Sequence, residues 1–160
     1  MAEYGILAGI ENIEKTLEDT AMLTPNFNFD GRCEQAIALY KQAFGAHVDF
    51  ILHYSDANPE DFSRALTDAQ KRYVYHAEVN IAGQRVMMCD NIDIPFQPSL
   101  SLSLVVTMDT KQQVMSAYDA LKDGATIIYP PHSTTYSSCE VVLVDRFGFR
   151  RGIMTEQTER

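Results

Sequence analysis

Cysteine is scarce in this chain. There are three, Cys33, Cys89 and Cys139. An odd, scattered set does not build a disulfide framework and fits a reducing compartment. Long apolar runs are also missing. Nothing approaches the ~18 consecutive apolar residues of a membrane-spanning helix. Positive charge is in short supply: 13 Lys and Arg face 22 Asp and Glu, for a net charge of −9. So acidic a chain is a poor match for a phosphate backbone, which excludes DNA or RNA as the main partner. The first twenty residues carry Glu3, Glu11, Glu14, Glu18 and Asp19 against Lys15 alone, the reverse of a secretory leader. No glycine-rich turn after an early strand marks a nucleotide-type cofactor site. A soluble cytoplasmic protein with neither a membrane nor a nucleic-acid partner is expected.

What is present is one module written twice. From Pro25 to Cys89 the pattern runs strand, helix, three strands, and from Leu100 to Met154 it recurs. Asp30-Gly31 announces the first helix and Gly45 stops it. Asp109-Thr110 and Gly124 do the same for the second. The chain has 160 residues, enough to bury roughly 70% of its unfolded surface without staples. The expected fold class is α+β. Two βαβββ repeats, 24–90 and 99–155, form a single curved-sheet module over 24–157. An N-terminal extension, 1–23, precedes it. There Ile6, Ile10, Ile13 and Leu17 share a helical stripe, as in an amphipathic helix.

Within the repeats, Thr24 to Phe29 alternates polar and aromatic residues, as a half-buried strand does. Gly31 is the expected N-cap of the first helix, with Glu34 favouring its start. Cys33, Ala36, Ile37, Tyr40, Ala43 and Phe44 give that helix an apolar face. In strand 46–54, Val48, Phe50, Leu52 and Tyr54 point one way; His47, Asp49, Ile51 and His53 point the other. Residues 55–72 form a long polar insertion, and Ala82-Gly83-Gln84 a hairpin. Thr110 and Gln113 make a capping box for a helix with Val114, Ala117, Tyr118 and Leu121 on its apolar face. Strands are expected at 125–129, 136–144 and 149–155. Phe27, Ile37, Tyr40, Val79, Leu102 and Tyr118 are expected in the core.

Each helix covers the apolar face of its sheet. Ala77, Val79 and Ile81 therefore face the first helix, and His76, Glu78 and Asn80 share the opposite, inner face. By the same logic Asn26, Asn28, His53, Ser101 and Ser103 turn inward. The two inner faces curl toward each other, and polar groups converging in a concavity are the default binding site. His76 can exchange a proton near neutral pH, with Glu78 as its orienting carboxylate. This pair is the candidate catalytic unit. Asn28, His53, Ser101, Ser103 and Tyr136 are the candidate ligand contacts.

Several segments resemble the PhnB-like branch of the vicinal-oxygen-chelate superfamily, which also holds glyoxalase I, bleomycin-resistance proteins and ring-cleaving dioxygenases. The opening Phe29-Asp30-Gly31-Arg32-Cys33-Glu34-Gln35-Ala36-Ile37, ending at Tyr40 and Gly45, is similar to that branch. So are His76-Ala77-Glu78-Val79 with Ile81-Ala82-Gly83, and Val86-Met87-Met88-Cys89-Asp90. Ser101-Leu102-Ser103-Leu104 and Asp145-Arg146-Phe147-Gly148 match its second half. The resemblance covers residues 24–155 and specifies fold and branch rather than reaction. It implies metal-ligand positions on the first, fourth, fifth and eighth strands. These fall on Asn26 or Asn28, on Met88 or Cys89 with Asp90 at the strand end, on Ser101 or Ser103, and on Gly152 or Met154. Neutral amides and hydroxyls are weak transition-metal ligands, so the sequence departs from the metal pattern. It departs again at Arg151, where PhnB-like chains usually carry an aromatic residue.

The leading expectation is a PhnB-like homodimer that binds a small organic ligand in its polar cup, without the usual metal or any other cofactor. The alternative is a lyase or dioxygenase that recruits a divalent metal through His76, Glu78 and Asp90 or His53. A second alternative is a non-catalytic regulatory or scaffolding dimer.

Overall fold

A computed structural model describes residues 21–156. The stripe of Ile6, Ile10, Ile13 and Leu17 lies outside the described residues. Eight strands form two four-stranded sheets. The first contains β1 (Asn26–Phe29), β2 (His47–His53), β3 (Val74–Ile81) and β4 (Gln84–Asp90), in the order β1-β4-β3-β2. The second contains β5 (Ser99–Met108), β6 (Thr126–His132), β7 (Glu140–Val144) and β8 (Phe149–Thr155), in the order β5-β8-β7-β6. β1 pairs parallel with β4 and β5 parallel with β8, and the remaining pairs are antiparallel. The α-helices among the described residues are α1 (Cys33–Phe44), the short α2 (Asp68–Lys71) and α3 (Lys111–Leu121). The fold is α+β, with the expected strand-helix-three-strand order in each half.

α1 buries Cys33, Ala36, Ile37, Leu39, Tyr40 and Ala43. It stops at Gly45, whose φ of 65° is left-handed, and whose N–H donates to the Lys41 carbonyl at 3.1 Å. Glycine adopts this conformation without a Cβ clash. The N-cap is Arg32 rather than Gly31, and no side chain of the α1 start caps it. Asp90, at the end of β4, does so from across the sheet. Its Oδ1 accepts the N–H groups of Gly31 at 2.8 Å and Cys33 at 3.0 Å. In α3 the expected capping box is present: Thr110 Oγ1 accepts from Gln113 N at 3.2 Å, and Gln113 Oε1 accepts from Thr110 N at 2.9 Å.

The halves share one core. Phe27 and Phe29 of β1 meet Phe149 of β8, each with ring centroids 5.0 Å apart. Arg151 lies buried over the rings of Phe27 (4.4 Å) and Tyr40 (4.6 Å). Its Nε donates to Asp145 Oδ2 at 3.2 Å, and the Tyr40 hydroxyl donates to the same oxygen at 2.7 Å. Asp145 Oδ1 also accepts from the N–H groups of Phe147 and Phe149. The Asp-Arg-Phe-Gly turn is thus a clasp: it folds its own hairpin and holds α1 of the first half through Tyr40.

Three strands depart from strict alternation. β2 carries a bulge between Val48 and Phe50, so Val48 opposes Val79 while Phe50 opposes Glu78. An extra residue flips the faces beyond it. Phe50 and Leu52 therefore share a face with Glu78 and His76, and His53 opposes Val74 on the core side. β5 skips register between Ser99, opposite Phe149, and Ser103, opposite Arg150. Leu102, expected in the core, is 69% exposed on that bulge. β6 runs on through Pro130 and Pro131 to His132. It is an edge strand, where missing N–H donors are tolerated. Tyr136 precedes β7, which starts at Glu140. Tyr118 is half-buried against the core.

The insertion folds as two 3₁₀ turns, Tyr54–Asp56 and Pro59–Asp61, followed by α2, which Thr67 and Gln70 cap reciprocally. It packs through Tyr54, Phe62 and Tyr75, with centroids 5.1 to 5.6 Å apart. The Tyr54 hydroxyl donates to the Asp90 carbonyl at 2.9 Å.

Candidate functional site

On the inner face the strands line up residues in rows. Across the first sheet run Phe50, Glu78, Met87 and Asn26 as successive partners. Across the second run Ser103, Arg150 and Val144, then Val105, Gly152 and Val142, then Thr107, Met154, Glu140 and His132. Polar groups thus occupy both sheets, with apolar residues between them.

His76 and Glu78 stand together, His76 Nε2 lying 3.4 Å from Glu78 Oε1. Glu78 is bound more tightly elsewhere. Arg85 grips both its oxygens, at 2.8 Å through Nε and 2.6 Å through Nη2. These charge-assisted bonds, with a lesser one from His76, lower its carboxyl to about 2. Sequence alternation placed Glu78 beside His76, but Arg85 was not singled out. It lies on the same face, one strand away.

Asn28 is exposed on β1, on the same face as Asn26. Its Oδ1 accepts the Cys89 thiol at 3.1 Å. Burial, with Asp90 adding, pushes that thiol above its ordinary range, so Cys89 is held as the neutral S–H. Ser103 sits on the ladder opposite Arg150, and Ser101 lies on the exposed β5 bulge without a ladder partner. Tyr136 donates to both oxygens of Glu140, at 3.0 and 2.9 Å. His132 Nε2 is 4.0 Å from the same carboxylate. Glu140 went unnoticed in the sequence. The signal was its place in register with Val142 and Val144 on an alternating strand.

Two candidates lie elsewhere. His53, carried to the core side by the β2 bulge, meets Glu34 of α1, Nε2 to Oε1 at 2.8 Å. Asp90 is 2% exposed and gives its oxygens to Gly31, Cys33 and, through Oδ2, Val74 N at 2.9 Å. Burial raises its carboxyl, with the three N–H bonds pulling back. On the opposite face from His76 and Glu78, it cannot share an ion with them. Among the described residues no three His, Cys, Asp or Glu side chains converge as a metal centre would need. The four inherited positions present an amide, a protonated thiol, a hydroxyl and Gly152 or Met154. That donor set does not fit a transition metal.

Where the halves meet, the edge strands β1 and β5 enclose a cavity of about 120 Å³. Asn26 and Phe27 line it from one side, Ser99, Leu102 and Leu104 from the other. Phe96 and Gln97 of the linker, and Phe149 and Arg150 of β8, complete it. It adjoins a groove of about 550 Å³ along β1 and the linker, lined by Asn26, Asn28, Asn91, Ile94, Phe96 and Gln97 among others. Hollows of about 500 and 520 Å³ elsewhere belong to the start of α3 and to the insertion, and hold none of the candidate residues.

This geometry defines a glyoxalase-like, vicinal-oxygen-chelate fold, and the solved structures agree. Protein PA1353 from Pseudomonas aeruginosa has a TM-score of 0.74 at 24% identity, over 86% of this chain and 99% of that one. A PhnB protein from Bacillus cereus, described as a putative 3-demethylubiquinone-9 3-methyltransferase, has a TM-score of 0.66 at 23% identity, over 84% and 99%. A glyoxylase/bleomycin resistance protein/dioxygenase domain from Frankia has a TM-score of 0.61 at 9% identity, over 88% and 95%. No curated protein matches the chain. Residues 21–154 match the family described as 3-demethylubiquinone-9 3-methyltransferase, and the chain belongs to this PhnB-like family. No described helix is long and apolar enough to cross a membrane.

Proposed function

We propose that this PhnB-like protein binds a small organic molecule at the seam of its two sheets, through neutral polar and aromatic side chains and without a resident metal. One observation carries the reading: the carboxylates of the inner face are already engaged. Glu78 is held by Arg85 and Glu140 by Tyr136, while Asn28, Cys89 and Ser103 stand at three inherited ligand positions. The amides of Asn26, Asn28 and Gln97 are suited to orienting a polar ligand, and Phe96 and Phe149 supply apolar walls. His76, an imidazole beside Glu78 on this face, is the side-chain type suited to acid–base work, and any turnover would rest on it.

The methyltransferase in the family's description is not carried over. In doubly wound folds a nucleotide-type cofactor sits on a glycine-rich turn with an open helix N-terminus. Here the β1–α1 turn holds one glycine, Gly31, and Asp90 occupies its N–H groups.

Metal analysis of protein purified without chelator, joined to a thermal-shift screen of small acids, aldehydes and aromatic compounds, tests the proposal. Less than 0.1 metal per chain is expected, with a ligand-dependent rise in Tm. A ligand at 100 times its Kd adds about 2.7 kcal/mol. His76→Ala should weaken binding or abolish turnover while the far-ultraviolet circular dichroism stays native. About one metal per chain retained through dialysis, and lost on changing His76 or Glu78, would overturn the reading in favour of a lyase or dioxygenase.

A further inference from the structure

Arg150 is a cation without a matching anion. It lines the seam cavity, and among the described residues no carboxylate lies within ion-pairing distance, unlike Arg32, Arg64, Arg85 and Arg151. Its Nη1 donates to the Leu100 carbonyl at 3.0 Å, which fixes the guanidinium against the β5 bulge. Its Nε is buried and has no hydrogen-bond partner. It is the one buried side-chain nitrogen or oxygen so placed among the described residues. A buried donor left unpaired is costly, and structures seldom leave one without a reason. Nη2 likewise makes no hydrogen bond among the described residues, Nη1 alone being engaged, and an arginine fork matches a planar carboxylate.

The rest of the cavity says what that anion would carry. Phe27, Phe96, Phe149 and Leu104 give apolar walls, and the amides of Asn26 and Gln97 stand at the mouth toward the larger groove. The chain carries a net charge of −9, so its overall field repels anions. Anion capture needs a local cation, and Arg150 supplies it. We propose that the seam cavity binds a small organic carboxylate with a flat apolar body, the carboxylate on Arg150 and the body against Phe96, Phe149 and Leu104. The assignment rests on the reading that the seam takes a small ligand, and names its chemical class.

Benzoate, with benzamide as its neutral isostere, is the probe. In NMR titrations benzoate should shift the side-chain amide signals of Asn26 and Gln97 saturably, while that of the remote Asn58 stays put. Wild type should prefer benzoate by tenfold or more. Arg150→Gln should erase the preference, and Arg150→Lys should keep part of it. Raising salt from low to high concentration should weaken benzoate and leave benzamide unchanged, a readout that needs no variant. If wild type binds the two equally, or Arg150→Gln retains the preference, the carboxylate assignment falls while the small-molecule reading stands. If neither compound shifts the seam signals, and no compound of the wider screen raises Tm, both fall.

Discussion

Truncating Tyr40 should be expensive for two separable reasons. Its ring is buried between α1 and the second half, and its hydroxyl joins Asp145 to Arg151. Burial is also the main reason its phenol is pushed up and stays protonated as a donor. Tyr40→Ala should cost about 3–5 kcal/mol, the usual range for an aromatic cavity. Tyr40→Phe keeps the ring and should cost about 1–3 kcal/mol, because it leaves a buried ion pair short of a partner. Urea melts of both variants separate the terms, and a Tyr40→Ala loss below about 1 kcal/mol would mean the clasp is not formed. Glu78 makes a prediction in pH. Its carboxyl is lower in the folded protein, at about 2, than in the unfolded chain. The Arg85 pair therefore contributes fully above the unfolded glutamate value, and that contribution fades as pH falls toward 2. Glu78→Gln should have a lower Tm than wild type at pH 7, and the gap should close steadily below pH 4.5. A gap that holds constant to pH 2.5 would show that the pair does not form. The face that Tyr40 and Glu78 occupy was legible from alternation. Their partners were not: Asp145 lies 105 residues from Tyr40 and leaves no trace in local spacing, and Arg85, seven residues from Glu78, is brought to it by the pairing of β3 with β4.

At the scale of the element, the β3–β4 hairpin is the clearest case of sequence setting shape. Two residues, Ala82 and Gly83, both adopt positive φ, 52° and 81°. This is the pairing of a type I′ turn. Asn80 Oδ1 braces it by accepting from Gly83 N at 2.9 Å. Ala82 is the misfit, since a Cβ in the left-handed region is disfavoured. Ala82→Asn should stabilise the protein by about 0.5–1 kcal/mol, because asparagine tolerates that region. Thermal melts check it, and no change or a loss would show the turn relaxing elsewhere. β2 and β5 show the opposite case. Alternation counted along β2 gives the wrong face past the bulge, which is why His53 was expected inward, whereas in β5 Ser103 and Val105 keep the expected face and Leu102, on the bulge itself, leaves the core. A bulge has no signature in composition. It is set by how the strand must bend to keep pairing with its neighbour.

For the whole molecule, the exposed apolar residues point to assembly. Phe50, Val105 and Tyr129 are at least half exposed on the inner face, and Leu100 and Leu102 likewise on the β5 bulge. Outer edges β2 and β6 present unpaired backbone, which proteins usually cover or protect. We therefore propose a two-fold homodimer. Light scattering at micromolar concentration should report about twice the 18.0 kDa chain mass, and a monomer there would rule it out. The same whole-molecule view explains Arg151. Where an aromatic residue was expected, a cation lies among Phe27, Tyr40 and Phe149 and pairs with Asp145. The aromatic surroundings are kept, and the ion pair adds a directional tie between the halves.

The amino-acid sequence by itself determined the repeat, the two helices with the first one's stop at Gly45, the hairpins and the PhnB-like family, because these rest on spacings of two to seven residues and on local capping. Only the tertiary structure decided which carboxylates remain free. It turned Asp90 from a metal-ligand candidate into the cap of α1, gave Glu78 to Arg85 and Glu140 to Tyr136, and brought Arg150 to the seam with an unpaired Nε. The physical reason is that a charge is satisfied by whatever the fold brings within about 3 Å of it, and strand pairing, turns and packing between elements choose that neighbour.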